Sequence, residues 1–474
     1  MASRAGAALL LLLALTPTAW AAPVRVLLGT GPEVRIEAEA PVRLGGEPLP
    51  ARTHTLTSNG TTTAQPVWRV YSKSFAIAEE SERADYMATL RAEHGLEPAA
   101  ELLGKTYATA AGTPLDCREA WIRVGAALDT AAATALQDRL KRKEIWAWKR
   151  PVYPATASGT FAVGDARFAF NAQGTTLTSD APFTVSGLAS APDERFAGVR
   201  TLTLYPAPAG LHAVAALPVE EYLRGVVPAE MPALWPTEAL KAQAIAARSD
   251  VYAHWGKKHH AEPWDYTATE LSRAFRGSDK WHPASDAAVA ATAETVLTDG
   301  TRIVPAVFSA VCGGHTENND TAWSGPPDPN LRGIPDYPLP HDRQPGDAAW
   351  INNPPDAYCA TARDFRWTAR VSARALVTGR RGVSGRLHWV RHNGETIHKD
   401  YPIRVALGRL HSTLFTVSAV EDGYLLHGGG RGHGVGLCQW GARGRALAGQ
   451  DHAAMLRQYY GGATLVRLSG NDEG

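Results

Sequence analysis

The sequence predicts an α+β protein of several domains: a β-rich N-terminal part, a small inserted α+β module and a larger C-terminal domain. Three observations carry that prediction. The chain is 474 residues long, beyond the ~250–300 residues at which a single core stops growing. Its pattern changes near Val67 from period-2 alternation to strands interleaved with helices, and changes back near Gly159. Downstream, a helix-length stripe follows Pro236, and a glycine-dense run lies near the C-terminal end.

The N-terminus reads as a secretory signal peptide over residues 1–21. Arg4 is a thin positive start, Ala7 to Leu15 is apolar, and Ala19-Trp20-Ala21 is a small-x-small cleavage site. That apolar core is too short to span a bilayer, and no other segment reaches the ~18 apolar residues a spanning helix needs. The mature chain is therefore expected to be exported, to the periplasm or cell wall, with no membrane anchor after signal removal. The formal net charge is +1, and loss of Arg4 would bring it to balance. Such a chain has no long-range field to attract nucleic acid or an anionic membrane, so neither is an expected partner. Hydrophobic content of 45% and charged content of 20% describe globular protein.

Val24-Arg25-Val26-Leu27-Leu28 and Val34-Arg35-Ile36-Glu37-Ala38 alternate with period 2 and are bounded by Gly and Pro, the signature of strands. They open a β-rich segment, 23–66, in which Thr53 to Gln65, rich in Thr, Ser and Asn, reads as a loop or linker. The module spans 67–151. Trp68-Arg69-Val70-Tyr71 is a strand, Glu79 to Glu93 a polar helix, Glu119 to Val124 a strand and Ala131 to Lys143 a second helix, with Ile145-Trp146-Ala147-Trp148 after it. This order resembles the SPOR fold, a small module that binds peptidoglycan glycan lacking peptide stems. Its basic cluster, Arg139, Lys141, Arg142 and Lys143, is a solvated face on the plainest reading. Segment 152–210 returns to short strands, such as Gly159-Thr160-Phe161-Ala162-Val163, expected to pair with 23–66. The larger domain covers 211–468.

That domain holds the residues that carry chemistry. In its first block, Leu217-Pro218-Val219-Glu220-Glu221-Tyr222-Leu223-Arg224-Gly225-Val226-Val227-Pro228-Ala229-Glu230-Met231-Pro232, Glu230 sits in an apolar collar. Such a collar disfavours the charged form of a carboxyl, the property a general acid working near neutrality requires. The alternative is an exposed glutamate at a helix end. From Pro236 to about His254, Leu240, Ala244, Ala247 and Val251 recur at helical spacing, predicting an amphipathic helix with Pro236 in its first turn. Lys241 and Arg248 lie two turns apart on one face, which could look back at Glu230.

A third block, Pro305-Ala306-Val307-Phe308-Ser309-Ala310-Val311-Cys312-Gly313-Gly314-His315-Thr316-Glu317-Asn318, reads as a strand entering a polar loop. His315, Thr316 and Glu317 could face a cleft, or Thr316 and Asn318 could cap a turn. The fourth block is the run from Gly428 to Gly441, in which seven of fourteen residues are glycine and His433, Gln439 and Trp440 are interspersed. Glycine is used where φ is positive or backbone must approach closely, so such a loop can let a bulky ligand lie on bare main chain while polar side chains read it. A cluster of structural turns is the plainer alternative. Cys117, Cys312, Cys359 and Cys438 have no metal-like spacing. In an oxidising compartment they allow three disulfide connectivities; a bond between Cys312 and Cys438, or from either to Cys359, would pin the loops together.

Together these blocks resemble the stage II sporulation protein D and amidase-enhancer family. The matching runs are the Leu217–Pro232 block and Trp-Pro-x-Glu-Ala-Leu-Lys-Ala-Gln-Ala-x-Ala-Ala-Arg from Trp235 to Arg248. Gly-Gly-His-Thr-Glu-Asn and Gly-His-Gly-Val-Gly-Leu-Cys-Gln-Trp-Gly-Ala complete them. The resemblance covers roughly Leu211 to Leu468 and implies a lytic transglycosylase cutting MurNAc–GlcNAc bonds of peptide-stripped peptidoglycan strands, with 1,6-anhydro product. Glu230 falls on the family's catalytic glutamate. Lys241, Arg248, His315, Thr316, His433 and Gln439 are expected substrate-binding residues, and a cell-wall amidase is a candidate partner. Some family members carry a Cys/His cluster suited to zinc after the long helix. Here Trp264 to Gly277 has neither residue type, so no metal or cofactor is expected. Two other classes remain: a non-catalytic binding protein that enhances a cell-wall amidase, and a wall-anchoring structural protein using the inserted module.

Overall fold

The computed structural model describes residues 23–62, 67–125, 128–268, 275, 277–338, 345–346, 348–352 and 356–469. The expected signal peptide lies outside them, as does much of the stretch from Trp264 to Gly277. The fold is mixed α+β, with several separate sheets and a multi-domain layout. Among the described residues no helix is long and apolar enough to cross a membrane.

The largest sheet has eleven strands. Its main path runs Ala166–Asn171, Ser158–Val163, Thr53–Thr62, Glu33–Ala38, Thr175–Ser186, Phe196–Ala207, Gly210–Leu217, Val24–Gly31, Tyr266–Thr267. Strands from before and after the inserted module thus share one ladder. Alternation does the work: along Val24–Gly31 and Glu33–Ala38 one face is buried and the other is more exposed. The stretch read as a linker is in fact the strand Thr53–Thr62, paired with Glu33–Ala38 and Ser158–Val163. Threonine is β-branched and suits a pleated, half-buried surface, so composition that resembled a loop belongs to a strand.

Residues 67–152 build their own sheet, ordered Trp148–Val152, Val67–Ala76, Glu119–Arg123, Ala99–Leu103, with every pair antiparallel. Helices α1 (Glu80–His94) and α2 (Thr130–Arg142) complete a β-α-β-β-α-β order of the split ferredoxin-like kind. Three details differ from expectation: Ala99–Leu103 is an additional strand, Thr106–Ala108 and Pro114–Asp116 pair as a separate two-stranded sheet, and the last strand begins only at Trp148. Val70, Phe75, Leu90, Ile122 and Leu140 form a separate core. Tyr71 and Trp121 are buried against His260, and Lys257 pairs with Glu119 at 2.6 Å.

The main sheet and the helices that follow it share one hydrophobic cluster, from Val24 to Leu468. Strand Gly210–Leu217 feeds directly into α3 (Val219–Glu230), and α4 (Thr237–His254) and α5 (Pro283–Ala291) pack beside it. Helix α4 is not amphipathic. Every residue from Ala239 to Ala253 is buried except Lys241, which is half-buried. Alanines at 239, 242, 244, 246, 247 and 253 make its flanks small enough for neighbours on all sides, and a helix apolar all round belongs in a core. Helices α6 (Gln439–Leu447) and α7 (His452–Tyr459) also pack on it. A third cluster, Val371 to Leu426, sits under two small three-stranded sheets.

Candidate active site

Helix α3 buries Val219, Tyr222, Leu223, Val226 and Val227, a stripe at i, i+3, i+4, i+7 and i+8. Met231 is extended and fully buried, ending the helix. Glu230 is therefore the last helical residue. It is half-buried, and its large collar neighbours Val226, Val227 and Met231 are members of the main core.

Helix α6 comes to meet it. Strand Leu437–Cys438 pairs in parallel with Phe308–Ser309, and the Cys438 sulfur caps α6 by accepting from the Gly441 N–H at 3.2 Å. This places Gln439 in the first turn, where its Nε2 donates to Glu230 Oε2 at 3.0 Å and to Gln243 Oε1 at 3.4 Å. One amide thus spends its two hydrogens on a carboxylate of α3 and a buried glutamine of α4. Gln243 is fully buried, and its own Nε2 has no partner among the described residues. Sequence reasoning missed Gln243, although it is a lone polar residue in a run of alanines. It also gave no role to Trp235, which closely follows Glu230 in the chain, or to Trp440, which follows Gln439; the two rings pack edge-to-face at 4.9 Å. The Arg443 guanidinium lies 5.4 Å from the Trp440 ring.

The other expected substrate-binding residues are placed differently. Lys241 donates to Glu238 at 2.8 Å, and Glu238 also accepts from His452 of α7. Burial works to raise the Glu238 carboxyl, but hydrogen bonds from Lys241 and His452 outweigh it and hold it at about 2. Arg248 is fully buried and forks onto Glu220 at 2.8 and 2.7 Å, with further bonds to the carbonyls of Thr295 and Val289. A guanidinium so enclosed does not read a ligand at the surface. It clamps α3 to α4. Thr316 is also fully buried, its hydroxyl accepting from the Ile334 N–H. His315 bonds through Nδ1 to the Thr316 carbonyl, and burial lowers its pKa. Glu317 is fully buried, accepting from Ser384 Oγ at 2.7 Å and from three backbone N–H groups.

His433 packs against Trp323 with ring centroids 4.7 Å apart, and its Nδ1 accepts from the Val435 N–H. Burial pushes its pKa down to about 4, so the ring is neutral at physiological pH. The glycine run around it is filled by protein. Gly434 has φ +76°, and a Cβ there would lie 2.3 Å from the Arg386 guanidinium carbon; at Gly441 it would lie 2.2 Å from Asp336. At these two positions glycine admits neighbouring side chains, not a ligand lying on bare main chain. A cavity of about 870 Å³ opens elsewhere, walled by Phe75, Arg118, Lys257, Arg302 and Trp323 among others. Glu230, Gln243 and Gln439 are not among its walls.

Directly behind Gln439 the four-residue group Cys312, Asp336, Cys359 and Cys438 converges, fully buried, with sulfur and carboxylate atoms all within 4.8 Å of one another. All three cysteines are free thiols. Sequence spacing gave no sign of this group, because its members are brought together only by the tertiary fold.

The geometry defines a carboxylate-centred site at a helix end, shared by the two motif-bearing parts of one domain. Residues 208–298 match a family model described as stage II sporulation protein, and residues 369–436 match a domain of unknown function. An uncharacterized protein of Brachyspira hyodysenteriae is 31% identical over 53% of this chain and 68% of its own length. The amidase enhancer of Bacillus subtilis is 27% identical over 52% of this chain, and stage II sporulation protein D of the same organism 28% over 53%. The matched region spans 40% of the former relative and 75% of the latter. The chain belongs to the stage II sporulation protein D and amidase-enhancer family.

Proposed function

We propose that this protein is a lytic transglycosylase of peptidoglycan, acting outside the cytoplasm on glycan strands stripped of peptide. Family membership supports a cell-wall related function. The observation that carries the finer reading is the 3.0 Å bond from Gln439 to Glu230, which joins the two distant halves of the motif set at a single carboxylate. Hydrolases of the usual kind need two carboxylates, one of them to activate or replace water. One suffices when the nucleophile is the substrate's own hydroxyl. Glu230 gives its proton to the glycosidic oxygen as the C1–O bond breaks. The carboxylate then takes the proton of the 6-hydroxyl as that oxygen bonds to C1, so the acid is restored, a 1,6-anhydro ring forms and no water is consumed. The intramolecular attack adds a proximity advantage. Gln439 orients the carboxylate, and Trp235 and Trp440 supply aromatic faces on which a sugar ring can lie. Of the expected binding residues, Gln439 keeps a role at the site by positioning Glu230, whereas His433 packs half-buried against Trp323. Lys241, Arg248, His315 and Thr316 are assigned to holding the fold.

The name of one relative, amidase enhancer, favours a second reading, in which the site binds glycan and presents it to a separate amidase. Digestion of purified denuded strands, with anhydro ends sought by mass spectrometry, separates the two. Cleavage by the wild-type chain that falls roughly a hundred- to ten-thousand-fold in Glu230→Gln, with strand binding retained, is the expected result. Undiminished cleavage by the variant removes Glu230 from the mechanism, and binding without cleavage by either form selects the enhancer reading.

A further inference from the structure

We propose that Cys312, Asp336, Cys359 and Cys438 hold one structural zinc ion immediately behind the acid-bearing site. Four observations carry this. The first is the spacing. Ligand atoms on a tetrahedron with arms of about 2.3 Å sit about 3.8 Å apart; Cys312 Sγ lies 3.6 Å from Cys359 Sγ and 3.2 Å from Asp336 Oδ2. The second is the surroundings of Cys438, whose sulfur accepts the N–H groups of Cys312 and Gly441, both at 3.2 Å. Those donors and the N-terminus of α6 favour a thiolate ligand. The third is an outer shell of the kind that orients metal ligands: Asp336 turns its Oδ1 to Arg445 Nε at 2.9 Å and to the Tyr459 hydroxyl at 2.8 Å, both fully buried, which leaves Oδ2 facing the sulfurs. The fourth is stoichiometry. A disulfide between Cys312 and Cys359 would consume two sulfurs and strand the third beside a buried carboxylate, whereas a tetrahedral ion uses all four groups.

Soft thiolates select zinc over magnesium or calcium, and four buried protein ligands leave no open position for substrate, the mark of a structural site. The ion would bind Cys438, the residue before Gln439, and so fix the first turn of α6. This inference concerns metal content and does not depend on the reaction assigned to Glu230.

The experiment is metal analysis of the full chain, purified without chelators, together with cobalt(II) substitution of the reduced protein. One zinc per chain is expected, with the intense visible absorption of tetrahedral thiolate-bound cobalt(II) after substitution. Both should be lost in Cys359→Ser and kept in Cys117→Ser, whose cysteine lies elsewhere, against the Ile303 N–H. Because the wild-type metal content and cobalt spectrum stand without the variants, a variant that fails to fold does not shelter the idea. An intact mass showing a Cys312–Cys359 disulfide without metal overturns it. So do a reduced chain that binds neither zinc nor cobalt(II), and stoichiometric iron in place of zinc.

Discussion

At the scale of single residues, the site turns on how one carboxylate is presented. In the proposed reaction, a group that first gives and then takes a proton must keep its orientation through both steps. The Gln439 amide, itself held by Gln243 Oε1, supplies that constraint through Glu230 Oε2. A hydrogen bond to a charged group is worth about 1.5–3 kcal/mol, which corresponds to roughly a ten- to hundredfold change in rate. Gln439→Ala should therefore lower kcat on denuded glycan by about that factor while KM stays within about twofold, the pattern of an interaction realised in the transition state. Steady-state kinetics decide it: a raised KM with kcat intact would make Gln439 a sugar-binding residue instead of a positioning one. The same close view shows why several polar residues were misread from sequence. Arg248 and Thr316 stand in motif blocks, and their types suit a groove, but pattern does not reveal whether a polar side chain faces a ligand or a buried partner. Glu220, the partner of Arg248, lies 28 residues away.

At the scale of elements, the site is a junction of three helices, with α3 carrying Glu230, α4 the buried Gln243 and α6 the Gln439 amide that bonds both. The bidentate Glu220–Arg248 pair locks α3 to α4 in a region where Arg248 is fully buried. Removing one partner of such a pair costs about 3–5 kcal/mol, while replacing both by apolar groups is often near neutral. Arg248→Met should accordingly lower the urea midpoint sharply, and Glu220→Leu combined with Arg248→Met should recover much of the loss. Equal loss in the single and double variants would show that the pair is not the clamp. Much of this layer was legible. The period-2 strands, both module helices and the extent of α4 follow from local pattern, and Pro236 marks where α4 begins. What was not legible depends on who packs against whom. The alanine flanks of α4 look neutral until neighbours close on every side, and a threonine-rich strand looks like a linker until its partners are known. The cysteine group is the extreme case, with members up to 126 residues apart.

At the scale of the whole molecule, several histidines are held neutral by burial in places that join distant segments. His212 is bonded to Thr30 across neighbouring strands and packs edge-on to Trp264, and burial lowers its pKa to about 4. His433 in the glycine run is likewise pushed to about 4, and His315 in the facing block is lowered too. In the unfolded chain each returns to about 6.5. Between those values the unfolded state binds more protons than the folded one, so stability rises with pH. It is complete above about 6.5, declines as pH falls through the window to about 4, and then levels for these groups. Asp336, whose carboxyl burial raises in the absence of an ion, is held as a carboxylate when the proposed zinc is bound and then adds nothing to this slope. The urea midpoint should therefore fall between about pH 7 and pH 5, and His212→Gln should flatten that decline because glutamine has no proton to gain. A midpoint that is level or rises on acidification would show that these rings are already charged in the folded chain. The links they make between the main sheet, the glycine run and the block facing it would then need another physical basis.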